Sequence, residues 1–300
     1  MTAQSTRKLL LPVDGSTDAD GAAQYLVQYA GALGASETIV LHVQPAENVP
    51  IHAADGSEVQ FDLHDVGLKA TRRVRDILDA ARLPYRLVSQ VGDPADVIAY
   101  IAETERVDEV AMGSRGLGQW EGLVLGSVAY KVIHRVAVPV TVVGATSAGA
   151  QPPATTRGTV HRLLLAVDGS KHAVRAADYL CRLHKLGMPM EVELVNAPAP
   201  IPTGYVRRFL TTEMIERYYR EEGAPALRDA REALQSAGVD FNAHVVPGHA
   251  AEEIVQVARE HQCARIVMGT RGLGAVAGLM LGSIAYQVIH LSPIPVTLVK

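Results

Sequence analysis

The chain has 300 residues, of which 48 % are hydrophobic and 20 % charged, with a formal net charge of −4. At ~150 residues per domain this suggests two domains with ample material for buried cores, and it argues against bulk disorder. The mild acidity disfavours a nucleic-acid-binding face, and no apolar run approaches the roughly 18 residues of a membrane span.

The first apolar run, Lys8–Val13, reads as a strand ending in Asp14-Gly15-Ser16. Helical spacing follows over Ala19–Leu33, through Ala22, Ala23, Leu26, Tyr29 and Ala30, and a strand over Thr38–Val43. A loop containing Pro, Asn and Gly leads to the charged amphipathic stretch Val59–Leu83, with its basic cluster Arg72, Arg73 and Arg75. Tyr85–Val91 is the next strand, and Asp93-Pro94 supplies a helix cap with proline in the first turn. A helix over Ala95–Glu105, a strand over Glu109–Gly113, a helix over Ser127–Arg135 and a strand over Val138–Val143 complete the half.

From Arg162 to Val299 the same order repeats. KLLLPVD (8–14) returns as RLLLAVD (162–168), and MGSRGLGQWEGLVLGSVAYKVIH (112–134) as MGTRGLGAVAGLMLGSIAYQVIH (268–290). A repeat this long is a whole domain. Between the copies, GATSAGAQPPATTRGT (144–159) has linker composition. The expected division is a domain over 1–144, a linker over 145–159 and a domain over 160–300. Residues 1–150 carry an acidic surplus and the rest a slight basic one, which is compatible with docking of the halves. Strand–helix alternation with apolar strands predicts an α/β fold, a doubly wound parallel sheet in each half. Such sheets bind ligands beyond the strands' carboxyl ends, where strand order reverses.

The strongest local signal follows the fourth strand. Gly113, Gly116, Gly126 and Ser127 are spaced G-x-x-G-(nine residues)-G-S, and Gly269, Gly272, Gly282 and Ser283 repeat that spacing. A strand end, a glycine loop and a helix beginning Gly-Ser would expose backbone N–H groups and a helix N-terminus to an anion. Ser127 and Ser283 can cap the helix or bond a phosphate oxygen, and Arg115 and Arg271 in the loops can neutralise its charge. The plainer reading is a tight turn between strand and helix; the long spacing and its second copy favour phosphate binding. A Walker-type G-x-x-x-x-G-K-[ST] is absent, and the dinucleotide fingerprint fails because Glu121 stands where its third glycine belongs. The second signal is Asp14 and Asp168 after the first strand of each copy. Each faces the expected crevice, where it can accept from a ribose hydroxyl, help hold a divalent ion, or simply cap the turn.

These motifs resemble the universal stress protein family in its tandem two-domain, ATP-binding form, whose mark is the G-2x-G-9x-G-[ST] pattern found here twice. The resemblance implies a five-stranded parallel sheet in the order 3-2-1-4-5 and ATP, with Mg²⁺, between strands one and four. It implies that Asp14 and Asp168 contact the sugar or the metal environment, and that Val43 meets adenine through its backbone. Gly113, Gly116, Gly126, Ser127, Gly269, Gly272, Gly282 and Ser283 would hold phosphates. The second copy departs at Ala166, in place of Pro12, and at Asn196, taken as the match of Val43. Family members pair domains through their last strands, so a pseudo-twofold pair within the chain, with homodimerisation, is expected.

Other candidates point to structure. His134 and His290 end matching helices, where a cation suits the C-terminus, and no second ligand stands at i+4. Ser16 and Ser170 lack a G-x-S-x-G elbow. Cys181 lies on a helix-like apolar face, Cys181 and Cys263 have no CxxC spacing, and Arg207–Arg231 reads as a solvated amphipathic helix. Three functions follow for testing: a regulatory ATP-binding protein that presents its surface to a protein partner, a slow ATPase or phosphotransferase, or a dimerising scaffold. The cradle offers no clear lysine for the β/γ-phosphates, no evident base and no water-positioning group, which favours binding without turnover. The apolar stretch near the start is too short for a signal peptide, so a cytoplasmic location is expected.

Overall fold

The computed structural model describes residues 7–33, 36–49, 62–116, 125–144, 160–200, 211–273 and 281–300. The chain forms two units, Met1–Ala154 and Thr155–Lys300. The stretch expected as linker, 145–159, lies outside the described residues.

In the first unit the strands are β1 (Arg7–Val13), β2 (Ser36–Gln44), β3 (Tyr85–Val91), β4 (Glu109–Gly113) and β5 (Val140–Val143). The helices are α1 (Thr17–Leu33), α2 (Leu63–Ala70), α3 (Arg72–Ala80), α4 (Pro94–Thr104) and α5 (Ser127–Arg135). All pairings are parallel, in the order β3-β2-β1-β4-β5. Leu9, Leu10, Leu11, Ile39, Val40, Leu41, Val110 and Ala111 are buried on both faces, which is why these strands are continuous apolar runs rather than alternating ones.

The second unit repeats the plan with β6 (His161–Ala166), α6 (Lys171–Lys185), β7 (Met190–Asn196), α7 (Thr212–Ala237), β8 (Asp240–Val245), α8 (Ala250–Glu260), β9 (Arg265–Gly269), α9 (Ser283–Leu291) and β10 (Val296–Val299). Its parallel order is β8-β7-β6-β9-β10, the same 3-2-1-4-5 plan in its own numbering.

One difference from the sequence reading has a local cause. The amphipathic stretch beginning at Val59 becomes two helices that meet at Thr71, whose buried hydroxyl donates to the Gly67 carbonyl at 2.7 Å. Such a hydroxyl back-bond favours a bend at the junction, and residues 59–61 lie outside the described residues. In the second unit the same region is one helix, α7, running through Pro225 and capped by Thr211, whose hydroxyl oxygen accepts from the Met214 amide at 3.2 Å. Residues 207–210 of its expected start lie outside the described residues.

Candidate functional site

The first unit turns sharply after β1. Asp14 Oδ1 accepts from the Ser16 amide at 3.0 Å, and Gly15 between them sits at φ +87°, a conformation that side chains resist. Ser16 is spent on structure, since its hydroxyl oxygen accepts from the Ala19 amide at 3.3 Å and so starts α1. Ser170 does the same for Ala173 in the second unit, at 3.2 Å.

β4 delivers the glycine loop to this turn. A β-carbon on Gly113 would lie 2.6 Å from Asp18 Cβ and 2.8 Å from its carbonyl carbon. Only glycine lets the first turn of α1 lie that close to the strand end, so this glycine is required by packing whatever the loop holds. Asp18, 3 % exposed, fastens the loop: its Oδ2 accepts from Ser114 Oγ at 2.9 Å and from the Arg115 amide at 3.0 Å, with Arg115 Nε 3.5 Å away. A β-carbon on Gly116 would collide with Asp14 Oδ2, which places the loop and the β1 turn in direct contact. The Gly126 amide donates to the Ser114 carbonyl at 2.8 Å and Gly126 caps α5. Helix α5 begins with no side-chain cap and no acidic residue in its first turn, and Ser127 stands exposed there. Its leading amides keep their positive end for an outside acceptor.

The second unit rebuilds the same arrangement. Asp168 Oδ1 accepts from the Ser170 amide at 3.0 Å and Oδ2 from the Leu273 amide at 2.9 Å. Gly282 donates to the Thr270 carbonyl at 2.8 Å and caps α9, which also lacks a side-chain cap and a first-turn acid. Asp168, Asn196, Gly269, Arg271, Gly272, Gly282 and Ser283 all line one pocket of about 380 Å³, together with the exposed amide-bearing residue Leu273. That volume is within the range of small-molecule sites, ~300–1,000 Å³.

The registers correct one sequence match. β1 pairs Val13 with His42, and β6 pairs Ala166 with Val195, so Asn196 stands opposite Val167 and corresponds to His42. Both side chains do the same work: His42 Nδ1 donates to the Val13 carbonyl at 3.0 Å and Asn196 Nδ2 to the Val167 carbonyl at 2.8 Å. The counterpart of Val43 is therefore Ala197, which lines the pocket beside Asn196. A one-residue shift is invisible to alignment where flanking identities are few, but a strand's hydrogen-bond partners reveal it.

A second asymmetry escaped the sequence reading. The place of Asp18 is taken by His172, whose Cβ lies 2.6 Å from a β-carbon built on Gly269. Thr270 Oγ1 and Arg271 Nε then make no hydrogen bond among the described residues, although both are buried. Burial, then Arg271 and Arg175, hold the His172 imidazole pKa below its ordinary value, and burial followed by Arg271 lowers that of Lys300. The first site instead gathers Asp14, Asp18 and Asp20, with Arg73 paired to Asp20 at 3.2 Å and donating to the Gly15 carbonyl at 2.7 Å. Burial raises the Asp20 pKa, Arg73 opposes this and Asp14 adds to it. The second crevice is the more cationic.

The remaining candidates lie apart from the crevices. His134 and His290 sit in the last turns of α5 and α9, whose glycine-capped ends are at the opposite terminus. Both cysteines are free and buried. Cys181 Sγ donates to the Ala233 carbonyl at 3.5 Å, and burial, with Glu193 adding to it, pushes the Cys263 thiol up to about 12. No described helix is long and apolar enough to cross a membrane.

Comparison with known proteins agrees with this plan. A universal stress protein of Thermus aquaticus is 37 % identical over 139 residues, 46 % of this chain and 97 % of that protein. A universal stress protein of Mycobacterium tuberculosis is 23 % identical over 308 residues, 97 % of this chain and 96 % of its own. The crystal structure of a universal stress protein from Archaeoglobus fulgidus superposes with a TM-score of 0.67 at 25 % identity, covering 100 % of this chain and 99 % of that one. The family model for the universal stress protein family matches twice, at residues 5–144 and 159–300, and with each match spanning a complete sheet of the 3-2-1-4-5 plan the chain belongs to that family.

Proposed function

We propose that the protein is a stress-response regulatory protein that binds ATP with Mg²⁺, one nucleotide per unit, with little or no turnover. The observation that supports this most is the second unit's pocket, where the β6 turn, the glycine loop and the start of α9 converge. Asp168 would face the ribose or the metal, while the amides of the loop and of the α9 N-terminus would take phosphate oxygens. Arg271 Nε and Thr270 Oγ1, buried and making no hydrogen bond among the described residues, suit a polyanion that brings acceptors with it. In the first unit Asp14, Gly116, Gly126 and Ser127 would serve likewise, with Val43 beside the adenine and Arg115 held back by Asp18. Mg²⁺ would offset phosphate charge next to Asp14 and Asp168.

A slow ATPase or phosphotransferase is the second reading, favoured by Arg115 and Arg271 inside the loops. We propose self-association as a homodimer and presentation of the nucleotide-loaded surface to a protein partner in the cytoplasm as the setting for either reading.

The test is to denature freshly purified protein, identify the released small molecules by mass spectrometry, and titrate ATP and Mg²⁺ by calorimetry while following phosphate release. Two bound ATP per chain without sustained hydrolysis is expected. Turnover in the ordinary kinase range of ~1–100 s⁻¹ would establish the enzyme instead, and absence of nucleotide together with no heat on titration would leave a scaffold.

A further inference from the structure

On the second unit's sheet, away from the glycine loop, three side chains meet that no part of the nucleotide reading uses. Glu193 is in the middle of β7, His244 on the adjacent β8, and His261 at the C-cap of α8. Glu193 Oε2 is 2.6 Å from His244 Nε2, and Oε1 is 3.3 Å from His261 Nδ1. The two imidazole rings are 4.8 Å apart, tilted by 60°, and one ligand atom from each of the three residues lies within 4.8 Å of the other two.

The first unit shows what this location looks like without such chemistry. β1 pairs Leu10 with Ile39 and β6 pairs Leu164 with Glu193, so Glu193 replaces a fully buried isoleucine. β2 pairs Leu41 with Val88 and β7 pairs Val195 with His244, so His244 replaces a valine. The α4 C-cap is Glu105 where α8 has His261. Glu105 belongs to a surface network with Lys8 and Arg86, an ordinary use of charge at strand ends. Three exchanges thus turn an apolar patch with a rim of ion pairs into two imidazoles around a carboxylate that is 1 % exposed.

A carboxylate buried to that degree is costly unless strongly compensated. Asn242 Nδ2 donates to Glu193 Oε1 at 3.3 Å, and Arg162 Nε stands 3.7 Å from the same oxygen. The Arg162 guanidinium is drawn outward by Glu191 Oε2 at 3.0 Å and by the His261 carbonyl at 3.1 Å. Oε2 is thereby left to His244, while Oε1 also faces His261. Both histidines are partly exposed, 27 % and 35 % by side chain, which provides an entry path and room for a water ligand. Two imidazole nitrogens and one carboxylate oxygen with an open position are a donor set for zinc and its late first-row neighbours, and too poor in oxygen for calcium or magnesium.

We propose that Glu193, His244 and His261 form a divalent transition-metal site in the second unit, suited to Zn²⁺ and independent of the nucleotide crevices.

The test uses the full chain stripped with chelator and freed of nucleotide, titrated with ZnCl₂ by calorimetry and with Co²⁺ by visible absorption. The wild type is expected to bind one Zn²⁺ that His244→Ala, His261→Ala and Glu193→Gln each weaken by at least about 10–100-fold, and to give Co²⁺ bands of low coordination number that the same variants lose. Glu193→Gln preserves side-chain volume, and His261→Ala alters a partly exposed cap, so the fold survives in at least one variant, checked by thermal melts without metal. A wild type that binds no Zn²⁺, or one whose Zn²⁺ affinity all three variants share, overturns the site and leaves an ion-pair cluster.

Discussion

Asp168 accepts the Leu273 amide at 2.9 Å, so the turn after β6 and the glycine loop after β9 are hydrogen-bonded to one another in the second unit. The same carboxylate oxygen occupies the space a β-carbon on Gly272 would need, as Asp14 does against Gly116 in the first unit. These aspartates are therefore loop-positioning groups whether or not they touch a ligand.

Gly272→Ala is expected to push the Asp168 carboxylate aside and weaken ATP binding in the second unit by about tenfold or more, and Gly116→Ala to do so in the first. The obstructing atom is the end of a side chain, so the melting temperature should stay near that of the wild type. Calorimetric titration of each variant checks this, and unchanged affinity in both would count against the crevices as the nucleotide sites.

Gly113→Ala and Gly269→Ala should behave differently. Their new methyl groups meet helix backbone, 2.8 Å from the Asp18 carbonyl carbon and 2.9 Å from that of His172. Backbone cannot swing away, and a loss of about 1–3 kcal/mol of stability is expected in urea titrations. Equal melting of Gly113→Ala and Gly116→Ala would contradict this division of roles.

Acid should weaken the second unit through its histidines. His161, 3 % exposed at the start of β6, has its pKa held below the ordinary 6.5 by burial and then by the charge of Arg265. The unfolded chain consequently binds more protons between the folded value and 6.5, so stability is complete above that pH and declines as pH falls below it. His172 adds to the same slope. In His161→Asn the fall of the urea midpoint between about pH 7.5 and about pH 5 should be shallower. An identical fall would exclude His161 as a source.

Asp93 caps α4, accepting from the amides of Ala95 at 2.9 Å and Asp96 at 3.1 Å, and it also pairs with Lys131 at 3.1 Å. Burial raises its pKa, but the Lys131 and backbone hydrogen bonds outweigh that and the net value is lowered from 3.8. Asp93→Ala should cost about 1 kcal/mol of first-unit stability at neutral pH. A lowered carboxylate stabilises above its unfolded pKa of 3.8 and progressively less as pH falls through the folded one, so the difference measured at neutral pH should be smaller at a pH below 3.8. Urea titrations at both pH values measure it.

Repetition of LLL-x-VD and of the glycine segment was legible because identical residues at matching offsets require no structure to be seen. The strands were legible because burial on both faces makes Leu9–Leu11 and Val110–Met112 uninterrupted apolar runs. The break at Thr71 was not, since a hydroxyl back-bonding to Gly67 leaves no mark in hydrophobic spacing.

Sequence by itself determined the doubled α/β plan and the four-residue glycine signature, because both are written in local spacing. Tertiary structure alone decided that Asn196 answers His42, that Asp18 ties down Ser114 and Arg115 where the second unit has His172, and that Glu193, His244 and His261 converge. Those relationships join residues tens of positions apart, and their distances are set by strand register and helix packing, which no window of neighbouring residues records.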